Sequence, residues 1–252
     1  MENRIFFNMN IAGVSVSVGA GLESTKSFCY GYITGDPGGA ADIDAVITQA
    51  DIDYVRRDGE ADERDKNLPH FFVPDRQAEQ LALHKLVSDQ MPAFNRALFH
   101  SSAVAVDGEA VLFTAPSGTG KSTHARLWKQ LFGDRLVYIN DDKPYIGYDG
   151  EAGPLTVYGS PWMGKHRVGA NTSAPIKAIG IIERSPDNHT ERMNAAQAFA
   201  TLFNQAYRPR DVKMLTATMN ILKRVAEEVP IYTIYCNMEP EAAQAAYSAI
   251  FK

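Results

Sequence analysis

The residues from Ala115 through Pro116, Ser117, Gly118, Thr119, Gly120, Lys121, Ser122 and Thr123 combine two glycines, a lysine and adjacent hydroxyls in the order that binds a polyphosphate. Gly118 and Gly120 let backbone amides turn toward phosphate oxygens, and a helix opening directly behind them adds its positive end. Lys121 then reaches the β- and γ-phosphates, while Ser122, with Thr123 beside it, places a hydroxyl on Mg²⁺. Ala115 stands where the usual pattern has its first glycine. That change removes none of the amides, the lysine or the hydroxyl. ATP and Mg²⁺ are the cofactors this loop leads us to expect; a purely structural glycine turn is the alternative.

Asp141 and Asp142 follow an apolar run from Leu136 to Ile139, twenty positions past the phosphate lysine. Neighbouring positions on a strand point to opposite faces, so the two acids divide the work. One holds Mg²⁺ directly or through water, and the other takes a proton from an alcohol or activates water. His100 precedes a second apolar run and either lies beside these acids or is structural. Gly159-Ser160-Pro161-Trp162-Met163-Gly164-Lys165-His166 is a further loop of site type, in which Lys165 balances phosphate charge. Its plainer reading is a hairpin connection anchored by Trp162. Arg208 and Arg210, in YRPRD, either clamp a phosphoryl group or cover the surface.

The elements that must position these groups alternate in type. Ser101 to Val106 reads as a strand, Asp107-Gly108 as a turn and Ala110 to Thr114 as a second strand leading into the glycine loop. A helix is expected over Ser122 to Phe132 and a strand over Leu136 to Ile139. Further strands are expected at Tyr145 to Tyr148, Thr156 to Tyr158, Ile176 to Ile182 and Ile231 to Tyr235. Helices are expected near Asn194 to Ala206, over Asp211 to Glu228 and from Glu239 onward.

Ahead of this, residues 5 to 18 end in Val alternating with Gly or Ser and read as one strand with a buried face. Short strands are expected around Phe28 to Ile33 and Phe71 to Val73, Arg56 to Lys66 is read as a solvated loop, and no long helix is expected before residue 75. Arg76 to Met91 has helical spacing. The expected organisation is a small β-rich lobe with a connecting helix over 1–94 and a catalytic domain over 95–252, in a mixed α/β fold.

Composition narrows the classes. Lys plus Arg number 25 against 30 Asp plus Glu, so a net charge of -5 disfavours non-specific nucleic-acid binding. Two cysteines, Cys29 and Cys236, cannot staple a chain of 252 residues and fit a reducing compartment. The start MENRIFFNMN lacks the pattern of a secretory signal, and no stretch approaches the roughly 20 apolar residues needed to cross a bilayer. The expectation is a soluble, cytoplasmic protein with no membrane or nucleic-acid partner.

Phe99-His100-Ser101, the Ala115 to Thr123 loop and Ile139-Asn140-Asp141-Asp142, taken together, resemble the catalytic domain of HPr kinase/phosphorylase. More distantly they resemble the nucleotide site of ATP-dependent phosphoenolpyruvate carboxykinase, whose loop wording is similar to SGTGKST. The resemblance covers about residues 95 to 185. It implies a carboxykinase-like P-loop kinase domain using ATP and a divalent metal, with Asp142 as base, Asp141 as the metal-side acid and His100 in support. The chain is also similar to HPr-kinase-like proteins found beside peptide-modification systems, including kinases for lasso-peptide precursors. That implies transfer of the γ-phosphoryl group to a serine or threonine of a small protein or modified peptide. Decarboxylation is disfavoured by the short chain. The alternatives are a small-alcohol kinase and a non-catalytic ATP-binding switch or assembly factor, with monomer and homo-oligomer both left open.

Overall fold

A computed structural model of the chain describes residues 4–35, 40–65, 72–150 and 152–252. The backbone divides into two compact units, Met1–Gln90 and Met91–Lys252, and the architecture is mixed α/β.

In the first unit, strands β1 (Ile5–Ile11) and β2 (Val14–Ala20) form a hairpin. Ala12 and Gly13 both take positive φ, 55° and 82°, which suits the tight turn between twisted strands. The segment read as one strand is therefore two, and its alternation buries Val14, Val16 and Val18. Strands β3 (Ile33–Gly35) and β4 (Ile43–Val46) complete a sheet of order β3-β1-β2-β4.

Helix α1 (Glu23–Phe28) and a 3-10 turn at Tyr30–Tyr32 replace the strand expected at Phe28 to Ile33. The reason is distant in sequence. The buried carboxylate of Glu79 accepts from the Gly21 and Leu22 amides at 2.6 and 3.2 Å and from the Thr25 hydroxyl, which fixes the start of α1.

Helix α2 (Gln49–Asp65) overturns both the solvated loop at Arg56 to Lys66 and the absence of a long helix before residue 75. Thr48 and Asp51 exchange side-chain to backbone bonds of 2.8 and 3.3 Å, a capping box that starts the helix. Arg57, Asp58, Glu60 and Arg64 are exposed on it, and Lys66 falls outside the described residues. Helix α3 (Asp75–Ser88) follows. Phe72 and Val73 form no strand, and Phe71 lies outside the described residues.

The second unit carries the candidate chemistry. Its strands are β5 (Arg96–Leu98), β6 (Ser102–Val106), β7 (Glu109–Thr114), β8 (Leu136–Asn140), β9 (Tyr145–Gly147), β10 (Thr156–Tyr158), β11 (Ser173–Arg184), β12 (His189–Arg192) and β13 (Ile231–Cys236). They run in the order β5-β9-β10-β11-β7-β6-β8, with β13 paired to β11 and β12. Strands β7, β11 and β13 are parallel, so their carboxyl ends Thr114, Arg184 and Cys236 lie at one edge. Such an edge is where open α/β sheets place ligands.

Helices α4 (Lys121–Phe132) and α7 (Pro240–Ile250) enclose one apolar cluster around Phe113 and Trp128. Helices α5 (Ala195–Gln205) and α6 (Val212–Glu228) enclose another around Leu112, Ile179, Leu202 and Leu222. Alternate residues of β7 and β11 feed the two clusters, so both faces of the sheet are covered. Asn194 and Asp211 cap α5 and α6 through their side chains. Among the described residues no helix is long and apolar enough to cross a membrane.

Candidate functional site

The glycine loop leaves β7 at Thr114 and enters α4 at Lys121, the strand-to-helix context that its motif requires. Gly118 and Gly120 have φ of 78° and 133°, with open space where a Cβ would stand. Side-chain-bearing residues are strained at such angles, so the backbone and not crowding calls for glycine at both positions. Pro116, Ser117 and Gly118 form the exposed rim, and Thr119 closes the turn by donating its amide to the Pro116 carbonyl at 3.3 Å. Ala115 points the other way. It is buried in the apolar cluster with Phe113, Ala125 and Trp128, which accounts for a methyl group at that position.

Lys121 is buried, and its Nζ donates to the Ala115 carbonyl at 3.0 Å, spanning the loop. Burial lowers the pKa of its ammonium, while the Asp142 and then the Asp141 carboxylate oppose that shift. The lysine is thus within electrostatic reach of both acids.

The acid pair is held by a set of short bonds. Asn140, fully buried at the end of β8, accepts the Asp142 and Lys143 amides on Oδ1 at 2.9 and 2.7 Å. Its Nδ2 donates to the carbonyl and hydroxyl oxygens of Ser160 at 3.0 and 3.1 Å. The Ser160 hydroxyl donates in turn to the Lys143 carbonyl at 2.6 Å. The acid turn and the Gly159 to His166 loop are therefore one hydrogen-bonded unit. Buried Trp162 anchors that loop as its plainer reading expects, yet the loop also reaches the acids.

Gly164 approaches Asp142 so closely, at φ 71°, that an added Cβ would lie 2.9 Å from the aspartate Cβ. Asp141 accepts the Ser102 hydroxyl on Oδ1 at 2.6 Å, and its amide donates to the Val168 carbonyl at 3.0 Å. His100 Nε2 stands 3.4 Å from Asp142 Oδ1 with both side chains about one-third exposed. The His100 carbonyl accepts the Thr114 hydroxyl at 2.8 Å, tying the histidine to the root of the phosphate loop.

A cavity of about 530 Å³ joins these groups, with Ser122, Asp141, Asp142 and Lys165 in its walls. Arg126, Tyr138 and His166 line it as well. A second cavity of about 530 Å³ lies on the other flank of the loop, lined by Gly118, Gly120, Thr123, His124 and Arg184. Arg184 donates to the Gly118 and Thr119 carbonyls at 2.6 and 3.1 Å and so braces the loop from the end of β11. His124 accepts the Trp128 indole N–H on Nε2 at 3.2 Å, and burial lowers its pKa to about 4. Its ring is neutral near pH 7.

The structure thus gathers His100, Lys121, Ser122, Asp141, Asp142 and Lys165 around one region. The segment that leads to Arg208 and Arg210 meets His100, whose amide donates to the Gln205 carbonyl at 2.9 Å. Arg208 is exposed, with its guanidinium 5.6 Å from the Phe203 ring centre, and neither arginine lines either cavity. Ser102, Arg126 and Arg184 are additions that the motifs did not single out, whereas Asn140, Ser160 and Gly164 stand in the quoted motifs and gain their positioning contacts from the structure. For Arg126 a signal existed, since four residues past Ser122 on a helix is the same face.

Among the described residues no cluster of three His, Cys, Asp or Glu side chains is placed to hold a metal ion. A hydroxyl and two carboxylates nevertheless fit Mg²⁺, which keeps waters and substrate phosphates in its shell instead of an all-protein cage.

No family model and no curated protein matches the chain. Among solved structures it is similar to the HPr(Ser) kinase/phosphatase from Coxiella burnetii, at 10% identity over 60% of this chain and 95% of that one. The TM-score is 0.28, a likeness too low to establish a common fold.

Proposed function

We propose that the Met91–Lys252 unit is a carboxykinase-like P-loop kinase domain that transfers the γ-phosphoryl group of ATP to a hydroxyl. The observation that carries this reading is the Asp142–His100 pair, 3.4 Å apart, in a region that also holds Asp141 and Ser122 and lies within electrostatic reach of Lys121. A carboxylate set beside a phosphate cradle is what proton removal from an attacking hydroxyl needs.

In this reading the loop amides and Lys121 bind the β- and γ-phosphates. The acceptor oxygen bonds to the γ-phosphorus as the bond to the β-γ bridging oxygen breaks, and ADP departs with that electron pair. Asp142 receives the acceptor proton, and His100 holds the carboxylate in its attacking orientation. Mg²⁺, when bound by Ser122 and the acid pair, offsets phosphate charge. Lys165, in the wall of the same cavity, adds positive charge. The acceptor is a serine or threonine of a small protein or peptide, or a small alcohol.

The test is transfer of label from γ-labelled ATP to a panel of hydroxyl peptides and alcohols. Asp142→Asn keeps the shape and removes the base, so transfer should fall by about 10²- to 10⁴-fold. Transfer to no acceptor, with residual ATP hydrolysis unaltered by Asp142→Asn, contradicts the assignment and leaves a nucleotide-binding switch.

A further inference from the structure

The cavity that holds the acids has two ends of different chemistry. One is Ser122, beside the phosphate loop. The other is formed by Arg126, one helical turn further along α4, and by Tyr138 in the middle of β8. Four residues of helix separate Ser122 from Arg126, an axial distance of about 6 Å. A γ-phosphoryl group held by Lys121 and Ser122 therefore leaves the Arg126 end to the acceptor.

That end presents the exposed guanidinium of Arg126 to the cavity. Arg126 spends one N–H on the Thr123 hydroxyl at 3.1 Å, which holds its side chain along the cavity side of α4. A guanidinium has five N–H donors, so most are left over. Lys165 lines the same cavity, and among the described residues neither side chain has a carboxylate within ion-pair distance. The two acids are otherwise engaged, Asp141 with Ser102 and Asp142 with His100. Burial and then the Asp141 carboxylate raise the Tyr138 phenol pKa, and Arg126 acts against them, so the acid and the arginine both act on this ring. Asp141 and Asp142 line the same cavity, and in the phosphotransferase reading they serve the metal and the acceptor proton, which leaves the two cations for an anion brought by a ligand.

Resting on the phosphotransferase reading above, we propose that the acceptor carries an anionic oxygen group, carboxylate or phosphate, close to its reacting hydroxyl, and that Arg126 binds that group. A guanidinium pairs with either anion through two parallel N–H bonds, which orients the acceptor as well as attracting it. With the anion on Arg126, the neighbouring hydroxyl lies toward Asp142 and the phosphate end. The transfer balances as before: the acceptor oxygen gains phosphorus, its proton passes to Asp142, and ADP leaves. Lys165, on the loop facing α4, supplies the second cation.

The experiment compares acceptors of matched size with γ-labelled ATP: glycerol, glycerate and glycerol phosphate, and serine peptides bearing Ala, Asp, phosphoserine or Lys next to the serine. The full-length protein and its Arg126→Ala and Arg126→Glu variants are assayed, with thermal melts confirming that each is folded. For the intact protein kcat/KM should favour an anionic acceptor over its neutral partner on the order of ten- to a hundredfold, the worth of a charged hydrogen-bonded pair. The carboxylate and phosphate arms identify which anion is used. Arg126→Ala should bring that ratio close to one, and Arg126→Glu should turn it toward the Lys peptide. Equal use of neutral and anionic acceptors by the intact protein, or a ratio unmoved by Arg126→Ala, overturns the inference while leaving phosphotransfer standing. Transfer to no member of either series, with hydrolysis indifferent to Asp142→Asn, overturns the phosphotransferase reading and this inference with it.

Discussion

His124 ties the phosphate helix to pH through a single ring. Its Nε2 accepts the Trp128 indole N–H and its edge meets Phe113 at 4.7 Å between ring centres, so the neutral ring is the one the core accommodates. With a folded pKa of about 4 against an unfolded value near 6.5, the unfolded chain binds more protons between those limits. Stability is therefore full above about pH 6.5 and is lost as pH falls toward 4. Between pH 7 and 5 the loss is roughly 2 kcal/mol from this residue. Urea unfolding at the two pH values should show it in the native protein and show less of it in His124→Gln, where no ring titrates. Equal pH sensitivity in both proteins contradicts the assignment. Sequence spacing marks His124 only as a helical residue after the loop. Trp128, four residues along α4, is legible as a neighbour on the same face, whereas Phe113 reaches the ring from β7 and no local pattern encodes that contact.

At the scale of elements, the loop from Gly159 to Gly169 decides where Asp142 stands. Gly164 combines positive φ with a close approach to the Asp142 Cβ, so Gly164→Ala adds backbone strain and pushes on the aspartate. The expected result is a fall in kcat of about tenfold or more with KM for ATP nearly constant, since a displacement on the order of 1 Å at a reacting group is costly. Steady-state kinetics at varied ATP read this directly, and a rise in KM alone contradicts it. Such coupling is poorly legible from sequence. The phosphate loop is legible because its residues act within nine consecutive positions, 115–123. Asn140 and Ser160 are twenty positions apart, and Arg184 grips Gly118 from sixty-six positions away. Their pairing is set by the register of β8 and the length of β11, both products of tertiary packing. The same reason hides α1, whose start depends on Glu79, whereas the capping box of α2 was present in the sequence at Thr48 and Asp51.

For the whole molecule, periodicity and caps mark most elements of the Met91–Lys252 unit, down to the helix starts at Asn194 and Asp211. Strand order escapes them: β11 pairs with β7 and β13, late in the chain, pairs with β11, which together bring Arg184 and Cys236 to the edge where the glycine loop begins. Net charge is equally uninformative about the site. A total of -5 argues against polyanion ligands, yet Lys165 and Arg126 line one cavity with the acid pair, and Lys121 lies within electrostatic reach of the same acids. The central claim is that this loop and the acid pair form one phosphotransfer site, and a crystal structure with a non-hydrolysable ATP analogue and Mg²⁺ tests it most directly. The account predicts β- and γ-phosphates against Lys121 and the loop amides, the metal at Ser122 and an acid of the pair, and the γ-phosphate facing Asp142. A nucleotide bound away from Lys121, or with its γ-phosphate turned from the acids, contradicts it.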